Sequence, residues 1–220
     1  MASWIKTVFD GGSGEIVEKK SRFIADVACV RSEEEALAFI EKIRKKYWDA
    51  RHHCYAYVIG ASQSCMRSSD DGEPQGTAGH PMLDVLTGEE IYDVCVVVTR
   101  YFGGTLLGTG GLVRAYSKAA QEGLKNSVII EKRLGKVVEI LTDYTGLGKM
   151  QYLTASKKIP VIETLYEDNV KMKILLTPEQ LSSFKGEVMD ASSGKALWEE
   201  KEEVYFAEVE GEVLIGEDLE

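Results

Sequence analysis

Five glycines within nine residues are the first feature of this sequence that could do chemistry. They lie between a nearly continuous apolar run, YDVCVVVTRYF, and an amphipathic run, LVRAYSKAAQEGLK, and are Gly103, Gly104, Gly108, Gly110 and Gly111. Glycine permits positive φ and lets another molecule approach the backbone amides closely. A helix that follows would direct its unpaired N–H groups and positive dipole end toward the same place. The segment therefore predicts a site for phosphate or another anion. Because no Walker lysine follows and the Rossmann spacing is missing, tight turns and close packing remain the alternative.

Three carboxylates in four residues form a second candidate site. Asp70, Asp71 and Glu73 lie in SSDDGEPQGTAGHP, with Thr77 close behind. Such a cluster can chelate a hard cation or supply a general base. The Asp-Gly and Glu-Pro pairs equally suit a solvated turn. The polar segment ASQSCMRSSDDGEPQGTAGH has no apolar periodicity, and a stretch of this length inside a compact domain is usually functional or disordered.

A histidine and a cysteine alternate on the strand-like run HHCYAYVIG. His52 and Cys54 fall on one face, so they could form a base and a nucleophile. A small buried cysteine beside a hydrogen-bonded histidine is the favoured interpretation. Zinc binding by His52, Cys54, Cys65 and His80 lacks a recognised spacing. We therefore predict no metal, no cofactor and no catalytic residue.

Arginines and aromatic residues are interleaved beside these segments. Guanidinium groups and aromatic faces are the usual equipment for contacts with phosphates and bases. The residues that together predict one cationic site are Arg22, Arg51, Arg67, Arg100 and Arg114, with Phe23, Tyr55, Tyr101, Phe102 and Tyr116 among them.

Composition and charge place this site in the first part of a soluble globular chain. The chain has 220 residues, 44% of them hydrophobic and 28% charged. It lacks the ~18-residue apolar run of a membrane span and shows no signal peptide, which predicts a cytoplasmic protein without membrane contact. Residues 1–134 hold 17 Lys and Arg against 18 Asp and Glu, whereas residues 135–220 hold 9 against 18. The acidic second part should not bind nucleic acid by charge alone.

The pattern of elements predicts an α+β protein with two domains, 1–134 and 135–220. In the first, WIKTVF and EIVEKKSRFIADVACV flank DGGSG and predict a hairpin, and a capping box of Ser32 and Glu35 opens a helix over 33–47. HHCYAYVIG and YDVCVVVTRYF predict strands, and PMLDVLTG a short helix. After Leu134 the order is β-α-β-β-α-β, with a turn at 168–169 and a helix opened by Thr177 and Pro178, which predicts a ferredoxin-like domain.

Four motifs in this order, KSRF, DARHHCYAYVIG, SDDGEPQGTAGHPML and VVVTRYFGGTLLGTGGLVRAYSKAA, resemble the YigZ/IMPACT family over essentially the whole chain. The resemblance implies an N-terminal βα domain similar to domain IV of elongation factor G and a C-terminal domain similar to its domain V. Eukaryotic members act in translational control by binding a co-activator of a starvation-responsive kinase; they carry an extra amino-terminal domain, so that partner is not carried over. Gln75 stands where many members have glycine. The matching motif residues are Arg22, Arg51, His52, His53, Asp70, Asp71, Gly72, Glu73, Thr77, Gly79, Arg100, Tyr101, Phe102, Gly103, Gly104, Gly108, Gly110 and Gly111.

These features together predict a non-catalytic, translation-associated regulator. It would bind RNA or a ribosome-associated surface through a cationic, glycine-rich cleft in the first domain. One alternative is a protein-only regulator of translation or of a stress response. Another is an enzyme that acts on a small phosphorylated ligand with Asp70, Asp71 or Glu73. All three depend on the segment around Asp71 and the glycines at 103–111 sharing one hollow.

Overall fold

The computed structural model describes residues 4–60, 65–209 and 211–219. The protein is α+β, and its internal contacts divide it into two compact units. One unit is Ile5–Glu131, and the other runs from Lys132 onward and takes in Trp4. The five helices of the described residues are all shorter or more polar than a helix that crosses a bilayer.

The elements of the first unit are β1 Trp4–Asp10, β2 Ser13–Glu18, β3 Ser21–Cys29, α1 Glu33–Lys46, β4 His52–Ile59, β5 Cys65–Ser69, α2 Gly79–Gly88, β6 Ile91–Tyr92, β7 Val94–Tyr101 and α3 Thr109–Lys125. Five of its strands form an antiparallel sheet in the order β2-β3-β7-β4-β5, while β1 pairs in parallel with β6.

Helices cover both faces of this sheet. Phe23 of β3 and Met82 of α2 belong to the core on one face, to which α3 contributes Tyr116. Ile40 of α1 and Tyr57 of β4 belong to the core on the other face. The central strand β7 is buried on both sides along nearly its whole length, which confirms the prediction from its continuous apolar run.

The predicted hairpin around DGGSG is wrong. The hairpin is formed by β2 and β3, and its turn is Lys19–Lys20, with φ of 45° and 69°. Both residues adopt the left-handed conformation that a two-residue turn requires. Gly11 and Gly12 serve close packing instead, because a Cβ on them would collide with the backbones of Val27 and Asn126.

The helix starts were predicted in part. Ser32 caps α1 and accepts the N–H of Glu35 at 3.2 Å, as expected, but the Glu35 carboxylate accepts from Arg31 rather than from Ser32. α3 begins at Thr109, before the amphipathic run, so Gly110 and Gly111 lie in its first turn. The polar segment after β4 contains a strand, β5, that its sequence pattern does not reveal, and residues 61–64 of that segment lie outside the described residues.

The second unit has the predicted β-α-β-β-α-β order. Its elements are β8 Val128–Thr142, which begins in the first unit, α4 Tyr144–Ser156, β9 Val161–Tyr166, β10 Val170–Leu176, α5 Pro178–Ser192 and β11 Leu197–Val209, followed by β12 Glu212–Ile215 and the 3-10 turn Gly216–Leu219.

The strands of the second unit pair antiparallel in the order β9-β10-β8-β11-β12. The first four form the sheet of a ferredoxin-like fold. Both helices contribute to a core on one face, with Met150 from α4 and Phe184 from α5. The predicted helix start is confirmed, because Thr177 and Gln180 form a reciprocal capping box with Pro178 at the first position.

Candidate functional site

The acidic segment and the end of β7 meet at a buried ion pair. Strand register places Arg100 beside Phe23 and His52. Its Nη1 donates to Oε1 of Glu73 at 2.6 Å, and the hydroxyl of Tyr116 donates to the same oxygen at 2.8 Å. The side chains of Arg100 and Glu73 are only 7% and 4% exposed. Glu73 therefore contacts residues on either side of the glycine segment, and the protein's own carboxylate fills the place expected for a ligand at Arg100. The cleft that Gly111 lines contains no residue of the acidic segment, so the predicted shared hollow is not formed there.

This arrangement corrects two predicted roles. Arg100 does not present a free guanidinium to a phosphate, and Glu73 does not present its carboxylate to a substrate. Burial raises the pKa of Tyr116, and the neighbouring Cys54 and Glu73 raise it further, so its hydroxyl stays protonated and available as a donor. The pair joins the loop after β5 to both β7 and α3.

Asp70 is an internal anchor of the same loop. Its carboxylate accepts the backbone N–H groups of Gly76, Ala78 and Gly79 at 2.8 to 3.0 Å. Burial alone would raise the pKa of Asp70, but these three donors outweigh it, so the pKa lies below its ordinary value. The hydroxyl of Thr77 likewise points inward and donates to the carbonyl of Pro74 at 2.6 Å.

Asp71 is held in the left-handed region, with φ of 41°. Its carboxylate accepts the backbone N–H of His53 at 2.7 Å and pairs with Arg44 of α1 at 3.1 Å. Its carbonyl oxygen lies 2.9 Å from Nδ1 of His52. All three carboxylates of the segment are thus bound within the chain, so the segment is an anchored turn rather than a solvated one.

Cys54 is a core residue, as the favoured interpretation of the sequence held. Its thiol is buried and donates to the carbonyl of Asp70 at 2.9 Å. Burial raises the pKa of this thiol, which disfavours the thiolate that a nucleophile requires. His80 is exposed on α2 near Asp84. Among the residues that the structure describes, no three His, Cys, Asp or Glu side chains are grouped to hold a metal ion.

The glycines of the 103–111 segment divide into packing and exposed positions. A Cβ on Gly103 would collide with the backbone of Lys20, and its N–H donates to the hydroxyl of Ser21 at 3.1 Å. Gly104 and Gly108 have φ of 82° and 74° with open space around them. Gly108 opens α3 without a side-chain cap. Close packing therefore accounts for Gly103, and tight turns account for Gly104 and Gly108, while the anion site stays a prediction.

A cleft of about 220 Å³ lies between the β2–β3 turn and the beginning of α3. Lys19, Arg114 and Lys118 bring three cations to it, and Glu18 is the one acid in its lining. No carboxylate in the described part of the chain lies within ion-pair distance of these three cations. The remaining lining residues are Ile16, Leu107, Gly111 and Ala115.

Lys19 and Lys118 were not among the site residues predicted from the sequence. Arg114 and Lys118 are four positions apart on one helix face, directly after the glycines, and this spacing was available as a signal. The contribution of Lys19 depends on the position of the β2–β3 turn, which the sequence did not reveal.

The other predicted cations do not gather at this cleft. Arg22 pairs with Glu15 through two hydrogen bonds of 2.8 and 2.9 Å, and its guanidinium lies 5.7 Å from the ring centre of Tyr101. Tyr101 donates to Asp49 at 2.7 Å. Arg51 is exposed at the start of β4. The side chains of Arg22 and Phe23 alternate, so Arg22 and Arg100 lie on opposite faces of the sheet.

Comparison with known proteins identifies the family. The Impact N-terminal domain model matches residues 19–124, and a domain of unknown function, DUF1949, matches residues 140–195. The chain is 42% identical over 199 residues to the IMPACT family member YvyE of Bacillus subtilis (strain 168), covering 90% of this chain and 92% of that protein. It is 38% identical over 178 residues to the IMPACT family member YigZ of Escherichia coli (strain K12), covering 80% and 87%. A crystal structure of a hypothetical protein shares 33% identity with a TM-score of 0.58 and covers 90% of this chain and 97% of that one. The chain belongs to the IMPACT family.

Proposed function

We propose that this protein is a non-catalytic, translation-associated regulator that binds RNA, free or on a ribosome-associated surface, through the cleft between the β2–β3 turn and α3. The observation that carries the proposal is the group of three cations, Lys19, Arg114 and Lys118, which have no acidic partner in the described residues. Ammonium and guanidinium groups in this state attract the phosphates of a nucleic acid backbone.

The beginning of α3 supports the same proposal. Gly108 offers no capping side chain, and Thr109 and Gly110 are exposed behind it. The first turn of a helix presents unpaired N–H groups and the positive end of the helix dipole. Gly111 of this turn lines the cleft, so an anion drawn to the lysines and Arg114 would lie near the start of the helix.

The hydrogen bonds already made by the acidic segment favour binding over catalysis. Asp70, Asp71 and Glu73 each accept hydrogen bonds from the chain itself. A general base needs a lone pair directed at the substrate. The enzyme alternative would require at least one of these carboxylates to leave its partners.

Fluorescence anisotropy of a labelled 12-nucleotide RNA across a salt series tests the proposal. We expect measurable binding at low salt and a linear fall of log affinity with log salt concentration. In the double variant Arg114→Ala/Lys118→Ala the slope should decrease by about 1.4, at about 0.7 for each lost phosphate contact with a single strand. The matched control is the double variant Lys42→Ala/Lys45→Ala, which changes two exposed cations of α1 that are remote in sequence from the cleft.

Two results would contradict the proposal. One is the absence of binding at low salt. The other is an equal change of slope in the cleft variant and in the α1 control, since binding would then follow net charge rather than the cleft. If the wild type binds no RNA yet co-purifies with translation proteins after nuclease treatment, the protein-only alternative is favoured.

A further inference from the structure

We infer that the cleft takes single-stranded RNA and that one unpaired base stacks on Phe102. This inference rests on the proposed RNA binding and names the form of RNA that fits the surface. Phe102 follows β7 directly, and 55% of its surface is exposed. A large aromatic ring in this position offers a face that a nucleobase can cover.

Contacts within the chain restrain the position of the Phe102 ring. The guanidinium of Arg100 lies 5.5 Å from its centre, and Arg100 is fixed in turn by Glu73 at 2.6 Å. On the other side in sequence, Gly103 packs against the backbone of Lys20 and donates to Ser21. A ring supported in this way loses little side-chain freedom on binding, so its contact with a base is pre-organised.

The same contacts connect Phe102 to the β2–β3 turn, which borders the cleft. Gly103 touches the backbone of Lys20, and the preceding residue, Lys19, lines the cleft. Leu106, in the loop that leads to α3, is 83% exposed and adds an apolar surface. Phosphates at the cleft and a base at Phe102 would therefore belong to one strand that crosses the β2–β3 turn. Glu18 in the cleft lining, Glu15 paired with Arg22 and Asp26 paired with Lys46 are the acids of this hairpin.

An RNA duplex cannot use this surface in the same way. Its bases are stacked on one another, and its deep major groove excludes side chains. The charge complementarity of the cleft serves either form of RNA, but an exposed aromatic face gains contacts only from an unpaired base. The exposed ring thus favours single strands.

Anisotropy with the labelled 12-nucleotide strand, alone and annealed to its complement, tests this inference. We expect Phe102→Ala to weaken single-strand binding roughly 5- to 150-fold, the range for loss of one base stack. The salt slope should stay at the wild-type value because no phosphate contact is lost. Phe102→Leu, which keeps apolar bulk for folding, should lose most of the same affinity, and Phe102→Trp should retain it and show quenched fluorescence on binding. Tyr152→Ala, at a 72% exposed aromatic of α4, is the matched control and should bind as the wild type.

The outcomes separate this inference from the proposed function. If RNA binding depends on Arg114 and Lys118 while Phe102→Leu binds like the wild type, the stacking inference is overturned and the proposed function stands. The same holds if the duplex binds as tightly as the single strand. If the wild type binds neither form at low salt, both are overturned.

Discussion

The ion pair between Glu73 and Arg100 allows a quantitative prediction for Glu73→Gln. The amide keeps an oxygen for Nη1 of Arg100 and for the hydroxyl of Tyr116, so the hydrogen bonds can persist while the negative charge is lost. Both ionic side chains are more than nine-tenths buried. Removal of one partner from such a pair leaves an uncompensated buried charge, which costs roughly 3–5 kcal/mol. Because the amide dipole still faces the guanidinium, we expect a loss of about 3 kcal/mol, or about 150-fold in the unfolding equilibrium.

Native-state hydrogen exchange, followed by mass spectrometry of peptides, measures this loss where it should occur. Peptides from β7 and α3 should lose protection, while peptides from β10 in the second unit serve as the internal reference. The double variant Glu73→Leu/Arg100→Met removes both charges, and we expect it to recover most of the lost stability, since apolar replacements of buried pairs are often neutral or stabilising. A loss below about 1 kcal/mol in Glu73→Gln, or a double variant no more stable than the single one, would refute the reasoning.

Three further predictions follow from residues inside the first unit. Gly103→Ala should cost about 1–3 kcal/mol and lower the Tm, because the new Cβ meets the rigid backbone of Lys20; an unchanged Tm in differential scanning fluorimetry would contradict this. Asp70→Asn should be less stable than the wild type near neutral pH. The pKa of Asp70 is depressed by folding, so its contribution is present above the unfolded pKa of about 3.9 and is lost as pH falls through the folded pKa. The difference in unfolding free energy between the wild type and Asp70→Asn, measured by urea titration, should therefore become smaller toward pH 2. A difference that does not change with pH would contradict the proposed role of the Asp70 carboxylate. The thiols of Cys54 and Cys95 are buried with raised pKa values and should resist iodoacetamide at pH 8 in the folded protein. Alkylation of either thiol, mapped by mass spectrometry, would contradict this prediction.

The second unit was predictable because local signals and the global fold agree there. Thr177 and Pro178 mark a helix start without reference to any distant residue, and the burial of β10 alternates over Val170–Ile174, as its sequence pattern predicts. The six elements of the β-α-β-β-α-β order could each be assigned from their own window of residues, and that order then specified the ferredoxin-like arrangement. The strand β12 and the first part of β8 were not predicted.

The first unit was less predictable because its decisive features are contacts between distant residues. Lys19 and Lys20 make a turn that usually calls for Asn-Gly, while Gly11, which precedes β2, is required by close packing and not by a turn. The candidate residues Glu73 and Arg100 were both identified from the sequence, but their pairing across 27 residues was not. In the sequence, a carboxylate that faces a ligand cannot be distinguished from one that faces a buried guanidinium.

The insertion of Glu73 also has a kinetic consequence. Its partners lie 27 and 43 residues downstream, in a strand and a helix that must already be assembled before the carboxylate can leave water. Contacts that form after the transition state affect the rate of unfolding rather than the rate of folding. We therefore expect this ion pair to slow unfolding. It would then determine how long each folded molecule lasts before its core is exposed to proteases.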